Sequence, residues 1–199
     1  MTSSPTSIPG FAVLALVASN VGVATPALAQ DQATVNVVGS AEQMCVVGLP
    51  SQGEGALTNF DTPSGTVFGI TALADPETLS TRAATITLTM SAMCNSIHRV
   101  LIGSENNGLW RSGIGATPSG FASAVPYRAN LVWAEQEYAL TAEAASRQGV
   151  EEEILVGRPN VGALLIEFSI STGATNAGVG APLLSGEYSD VLRITLESQ

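Results

Sequence analysis

The chain contains no lysine and few charged residues of either sign. Seven arginines stand against 17 acidic residues in a chain of 199, which gives a formal net charge of -10. The arginines are scattered along the sequence, whereas proteins that follow a nucleic acid backbone concentrate basic residues in one patch. The composition therefore argues against nucleic acid as a partner.

Motifs of catalysis and of phosphate binding are also lacking. No GxSxG nucleophile motif accompanies the single histidine, so we interpret His98 as a surface or turn residue rather than a catalytic base. The glycine-rich stretch 173–180 lacks the GxGxxG spacing that binds dinucleotides. We therefore predict that the protein is not an enzyme and uses no cofactor.

Patterns of metal ligands are equally sparse. The sequence has no CxxC motif and no histidine cluster, and its one acidic run is Glu151, Glu152 and Glu153. Hard cations need oxygen ligands that converge from several segments, which a single run does not provide. We interpret the run as a solvated face and predict no metal site.

No hydrophobic run is long enough to span a bilayer. Residues 11–23 form a short apolar stretch, followed by Pro26 and by the small-x-small pattern of Ala27, Leu28 and Ala29. We predict a signal peptide over residues 1–29, export of the remainder and no membrane span in the mature protein. A membrane-anchored or disordered tail is the alternative.

Cysteine is rare, with Cys45 and Cys94 as the two residues of this type. An even number of cysteines in an exported chain indicates one disulfide, formed in an oxidising compartment. Two buried free thiols are the alternative.

Alternation of apolar and polar residues at a period of two dominates the rest of the sequence. Such alternation is typical of strands that turn one face toward a core. It recurs over residues 33–38, 84–94, 124–133, 164–171 and 188–196. Glycine, proline and serine separate these segments and no helix–strand rhythm accompanies them. We predict one all-β domain over residues 30–199, an immunoglobulin-like β-sandwich.

Loops and one further short strand are predicted between these segments. Residues 48–55 and 103–120 are predicted loops, the second of which contains Trp110, and residues 56–60 are a predicted short strand. Residues 134–148 are rich in alanine and glutamate, which leaves a short helix or an excursion between strands as equal interpretations. Tyr127 and Trp133 fall on the apolar face of their strand, so we assign them to the core rather than to a sugar-stacking platform.

Several features follow one another in a recognisable order. An alternating leader precedes Cys45, a threonine-rich strand ends at Cys94, the stretch 126–131 reads Pro-Tyr-Arg-Ala-Asn-Leu, and residues 186–190 read Gly-Glu-Tyr-Ser-Asp before the last strand. This order resembles the spore coat protein U domain family, the pilin subunits of archaic chaperone-usher pili. The resemblance spans about residues 35–196.

The resemblance implies an incomplete immunoglobulin-like sandwich that lacks its final strand. Its groove is then filled by a periplasmic chaperone and afterwards by a donor strand of the next subunit, at an outer-membrane usher. The implied donor segment is residues 30–38, with Ala33, Val35 and Val37 entering the groove. The implied groove and terminal-strand residues are Tyr188, Leu192, Ile194 and Leu196, and Cys45 with Cys94 would brace the subunit.

On this interpretation the protein is a structural subunit that polymerises by donor-strand exchange into surface fibres, for adhesion or biofilm. Head-to-tail strand addition makes a filament rather than a closed ring. The protein would pass through the periplasm to the cell surface or be secreted. The alternative is a monomeric, self-complemented sandwich that binds a glycan or a protein through the loops 103–120 and 134–160.

Overall fold

The computed structural model describes residues 34–61, 65–113 and 115–199. The predicted signal peptide and Ala33 lie outside these ranges. Residues 41–199 form one compact unit, and the architecture below is that of this unit. In the described part of the chain, no helix is long and apolar enough to cross a membrane.

The described residues form twelve β-strands. The strands are β1 (Cys45–Val47), β2 (Ser51–Thr58), β3 (Ala84–Cys94), β4 (His98–Ser104), β5 (Leu109–Arg111), β6 (Ala124–Val125), β7 (Tyr127–Trp133), β8 (Gln136–Ala142), β9 (Val150–Val156), β10 (Asn160–Ile170), β11 (Tyr188–Ser189) and β12 (Leu192–Ser198). The prediction of an all-β fold is confirmed.

The strands form two main sheets. The larger has the order β1-β3-β10-β7-β8, with β2 also paired to β3, and the smaller has the order β12-β4-β9. A third, short sheet of order β11-β5-β6 lies among the loops. Every pair of strands is antiparallel.

One hydrophobic core lies between the two main sheets. Along β3, alternate side chains from Ala84 to Cys94 are buried while those between them are less covered, as the period of two predicts. Val100 and Ile102 of β4 are fully buried in the same cluster. Each fully buried branched side chain stabilises the fold by roughly 1.5–3 kcal/mol. The two sheets thus pack as a β-sandwich.

The alternation of residues 124–133 is confirmed, and so is the assignment of its aromatics to the core. Tyr127 is 4% exposed and Trp133 is 1% exposed. The segment is split into β6 and β7 at Pro126, which has no N–H to donate to a neighbouring strand.

Residues 134–148 contain no helix, so the helix interpretation of this segment is wrong. Instead Ala134 and Glu135 form a two-residue hairpin loop between β7 and β8, because Trp133 pairs directly with Gln136. Both loop residues are left-handed, with φ of 53° and 65°, as a type I′ turn requires. The usual Asn-Gly signal of this turn is absent. Arg158 supports the loop by donating to the carbonyl oxygen of Ala134 at 3.0 Å.

Two predicted loops contain strands. Residues 48–55 overlap β2, which runs on to Thr58 and so also shifts the predicted strand 56–60. Gly55 lies at φ 151°, and a Cβ added there would fall 2.9 Å from the Cβ of Thr87. Glycine is thus needed for close approach to β3, which is why this strand has the composition of a loop. Trp110 lies in β5, a strand too short for alternation to show.

The hairpin loop gives a test of this fold. Replacing Glu135→Gly should raise the free energy of unfolding by about 1 kcal/mol, because a left-handed conformation costs a side-chain-bearing residue roughly 1–2 kcal/mol. The variant also loses the ion pair between Glu135 and Arg158. This loss offsets little of the gain in the free energy of unfolding, since the Glu135 side chain is 84% exposed. Urea denaturation measures the change.

The matched control is Glu137→Gly, an exposed position within β8. That variant should lose stability, since glycine weakens a regular strand. Equal losses in both variants would show that residue 135 is not held in the left-handed region.

Candidate functional site

Cys45 and Cys94 form a disulfide, as predicted. The two residues are Cα partners in the register of β1 and β3, and Cys94 is 1% exposed. The bond therefore fastens the three-residue strand β1, which is too short to hold its place by backbone pairing alone. The loop that it closes spans 49 residues.

The last strand presents an apolar row that is only partly covered. Leu192, Ile194 and Leu196 of β12 pack against the core and are half-buried, whereas the inward residues of β3 are almost all fully buried. Tyr188, predicted on the same strand, lies in β11 because the segment is interrupted at Asp190. The alternation in the sequence therefore predicted correctly which residues of β12 face the core. It did not predict that these residues are only half-buried.

The outer edge of β12 is free of a partner strand. Seven residues of β12 pair with β4 on one side. Within the described part of residues 41–199, no strand pairs with the other side. β1 passes close to this edge but bonds to β3 instead. An edge of this kind offers its backbone N–H and C=O groups to an additional strand.

Next to this edge, β1 also leaves an inward side chain uncovered. Val47 lies on the same face of β1 as the disulfide-bonded Cys45 and is the Cα partner of the buried Ala92. Val47 is nevertheless 39% exposed. We name the surface formed by Val47, Leu192, Ile194 and Leu196 the β1–β12 cleft. The cleft is apolar, and its side chains are less covered than the inward residues of β3.

The opposite edge of the same small sheet has a different surface. β9 carries Glu151, Glu152 and Glu153, all exposed, so the prediction of a solvated acidic face is confirmed. Glu153 also meets Arg99 of β4 at 2.9 Å. Charges on an edge strand discourage pairing with another chain. The sheet therefore has exposed acidic side chains at its β9 edge and half-buried apolar side chains at its β12 edge.

The predicted donor residues do not form a strand. Val35 and Val37 are 82% and 93% exposed, and residues 34–38 have no regular structure, so the predicted strand over 33–38 is wrong for its described part. A strand exists only when its backbone is paired, which alternation of side chains does not provide. Ala33 lies outside the described residues.

His98 is fully buried, so its assignment to the surface or to a turn is wrong. Its Nε2 accepts a hydrogen bond from the indole N–H of Trp133 at 2.8 Å, and its Nδ1 bonds the carbonyl oxygen of Ser96 at 3.0 Å. Cys45 and Cys94 lie nearby, which groups three side chains of metal-ligand type. Their sulfurs are joined in the disulfide and both imidazole nitrogens are engaged. This group is built to pack the core rather than to hold a metal.

A carboxylate fixes the point at which β12 begins. The Oδ2 of Asp190 accepts hydrogen bonds from the hydroxyls of Ser104 at 2.5 Å and Tyr127 at 2.7 Å. Its Oδ1 accepts from the backbone N–H groups of Asn106 at 2.9 Å and Val191 at 2.8 Å. Asp190 thus joins the end of β4, the start of β7 and the loop after β4 to the start of β12.

The Tyr127 hydroxyl stays a hydrogen-bond donor at this site. Burial raises the pKa of Tyr127 far above its usual range, and the neighbouring Asp190 carboxylate raises it further. The sequence carried a sign of this arrangement, because Asp190 stands directly before an apolar strand, but nothing local revealed its distant partners Ser104, Asn106 and Tyr127.

The contact between Tyr127 and Asp190 can be measured with a double-mutant cycle. Tyr127→Phe and Asp190→Asn should each lower the free energy of unfolding by roughly 1.5–3 kcal/mol, the usual size for a hydrogen bond to a charged group. The double variant should lose about 1 kcal/mol less than the sum, since contacting residues couple.

Tyr138→Phe is the control, because that hydroxyl bonds Gln136 at an exposed position. Its loss should be near zero. Strictly additive losses at Tyr127 and Asp190 would contradict the role of Asp190 as the anchor of β12.

No family model matches this chain, and no curated protein matches it at a significant level. The resemblance to the spore coat protein U domain therefore stays a prediction that rests on the quoted residues. The interpretation of the site depends on the geometry of the β1–β12 cleft.

Proposed function

We propose that this protein is an exported structural subunit that polymerises by donor-strand exchange into surface fibres. The observation that carries the proposal is the outer edge of β12, which has no partner within the described part of residues 41–199 and whose apolar row is half-buried. An added strand would bond the free backbone groups and cover the β1–β12 cleft in one step.

Residues 30–38 are the donor segment in this proposal. Val35 and Val37 are spaced by two, so in an extended strand both point to one face. The nearly complete exposure of both side chains gives their burial in a cleft a favourable free energy. Ala33 would extend the same apolar row by one position.

The acidic edge supports pairing at β12 rather than elsewhere in the sheet. A donor strand that approached β9 would meet Glu151, Glu152 and Glu153, whose desolvation is costly. At β12 the same strand meets Leu192, Ile194 and Leu196. One acceptor edge per copy, filled by one donor segment, repeats head to tail and gives a filament.

Export and the assembly partners belong to the same proposal. A disulfide forms and persists in an oxidising compartment such as the periplasm. An apolar edge that waits for a donor is an aggregation hazard, so a periplasmic chaperone would cover it until an outer-membrane usher admits the next subunit. Adhesion or biofilm is the purpose that a surface fibre of this kind would serve.

Charges in the donor segment should abolish assembly. Val35→Asp combined with Val37→Asp places two carboxylates in an apolar cleft, where an unpaired charge is strongly unfavourable. The unaltered protein should give a ladder of multiples on a denaturing gel without boiling, and a single band after boiling. The variant should give a single band under both conditions while keeping its disulfide.

Val179→Asp is the matched control, since Val179 is a valine of the same exposure, 94%, in a different loop. It should assemble normally. A synthetic peptide of residues 30–44 should also raise the unfolding temperature of the double variant, and the same peptide with both aspartates should not. Fibres from the double variant would show that the donor lies elsewhere.

A further inference from the structure

An apolar groove lies at the end of the sandwich where β12 begins. Its volume is about 580 Å³. The groove is lined by Leu73, Leu79, Phe121, Leu183, Leu184 and Tyr188. Leu79 and Phe121 are 52% and 39% exposed, so a modest apolar surface meets solvent here. Such side chains gain free energy when another apolar surface covers them.

The opposite end of the sandwich is also apolar. It is the end at which the disulfide lies, and we name it the disulfide end. Its exposed apolar side chains, each between 43% and 74% exposed, are Met44, Val46, Met93, Ile97 and Val161. Three of them form one row on the outer face of the larger sheet near this end, since Val46 pairs with Met93 and Met93 pairs with Val161.

The direction of β12 relates these two ends to strand addition. We name the end that holds the groove the groove end. β12 runs from the groove end, where Leu192 pairs with Ser104, to the disulfide end, where Ser198 pairs with His98. Neighbouring strands in both main sheets are antiparallel. A donor strand that continues this arrangement runs the other way, so its C-terminal residue leaves the acceptor at the groove end.

A short linker then fixes where the donor copy lies. Residues 39–44 connect the donor segment to β1, and six residues span at most about 20 Å. β1 starts at the disulfide end, because Cys45 pairs with Cys94 at the end of β3. Asn95 holds the linker there, since its side chain accepts from the N–H of Met44 at 2.8 Å. The disulfide end of each copy is thus tethered close to the groove end of the copy that accepts its donor.

We propose that the groove binds the disulfide end of the copy whose donor segment pairs with β12. This would be a second contact between the two subunits, beside the donor strand. The inference rests on the proposed function, because donor exchange supplies the tether. Tethering makes the second contact intramolecular in effect, so a modest apolar surface suffices for it. The two surfaces are both apolar, and burying them against each other removes from water the side chains that each leaves exposed.

Cross-linking within fibres tests the contact. Leu79→Cys and Ile97→Cys are made in separate chains and co-assembled, and the fibres are treated with a short bismaleimide. One titratable thiol per chain shows that the Cys45–Cys94 bond is intact. After boiling, cross-linked dimers should exceed by at least about tenfold those from a control mixture of Glu152→Cys with Ile97→Cys, since Glu152 lies in the middle of β9.

The possible outcomes distinguish the groove contact from donor-strand exchange, the proposal on which it rests. Dimers at the level of the control, in fibres that still give the detergent-resistant ladder, would overturn the groove contact and leave donor exchange standing. Absence of a ladder from the unaltered protein would overturn both. Cross-linking that persists in chains with Val35→Asp and Val37→Asp would show that the groove binds another copy without the tether, which also contradicts the inference.

Discussion

Backbone N–H and C=O groups at the edge of a β-sheet require partners, and within the described part of residues 41–199 no strand supplies them at the outer edge of β12. The small sheet β12-β4-β9 has two such edges. The β9 edge carries exposed glutamates, whereas the β12 edge has a half-buried apolar row beside it. In the proposed assembly, this asymmetry would direct a donor strand to the β12 edge rather than to the β9 edge.

Two features fix the geometry of the β12 edge. The disulfide fixes β1 beside the edge, and the Asp190 carboxylate fixes the residue from which β12 starts. Both act at positions where backbone pairing is short or interrupted. In the proposed strand addition, pre-organisation of this kind would reduce the conformational entropy that is lost and leave more of the interaction free energy for binding.

Periodicity alone located most of the core. The rows on β3, β7 and β10 and the terminal row of Leu192, Ile194 and Leu196 were predictable, because alternation reports directly on which face is covered. The hairpin at Ala134 and Glu135 was not, because tertiary pairing imposes a turn on residues that prefer a helix. Buried polar partnerships, such as that of His98 with Trp133, join positions far apart in sequence and leave no local signal.

Amide hydrogen exchange along β12, compared between monomer and fibre, tests the central claim most directly. In the monomer, the amides of β12 that are bonded to β4 should be protected, and those that face the free edge should exchange rapidly. In the fibre, the second set should become protected as well, because the donor strand then bonds them. Unchanged exchange of that set in detergent-resistant fibres would show that assembly uses another surface.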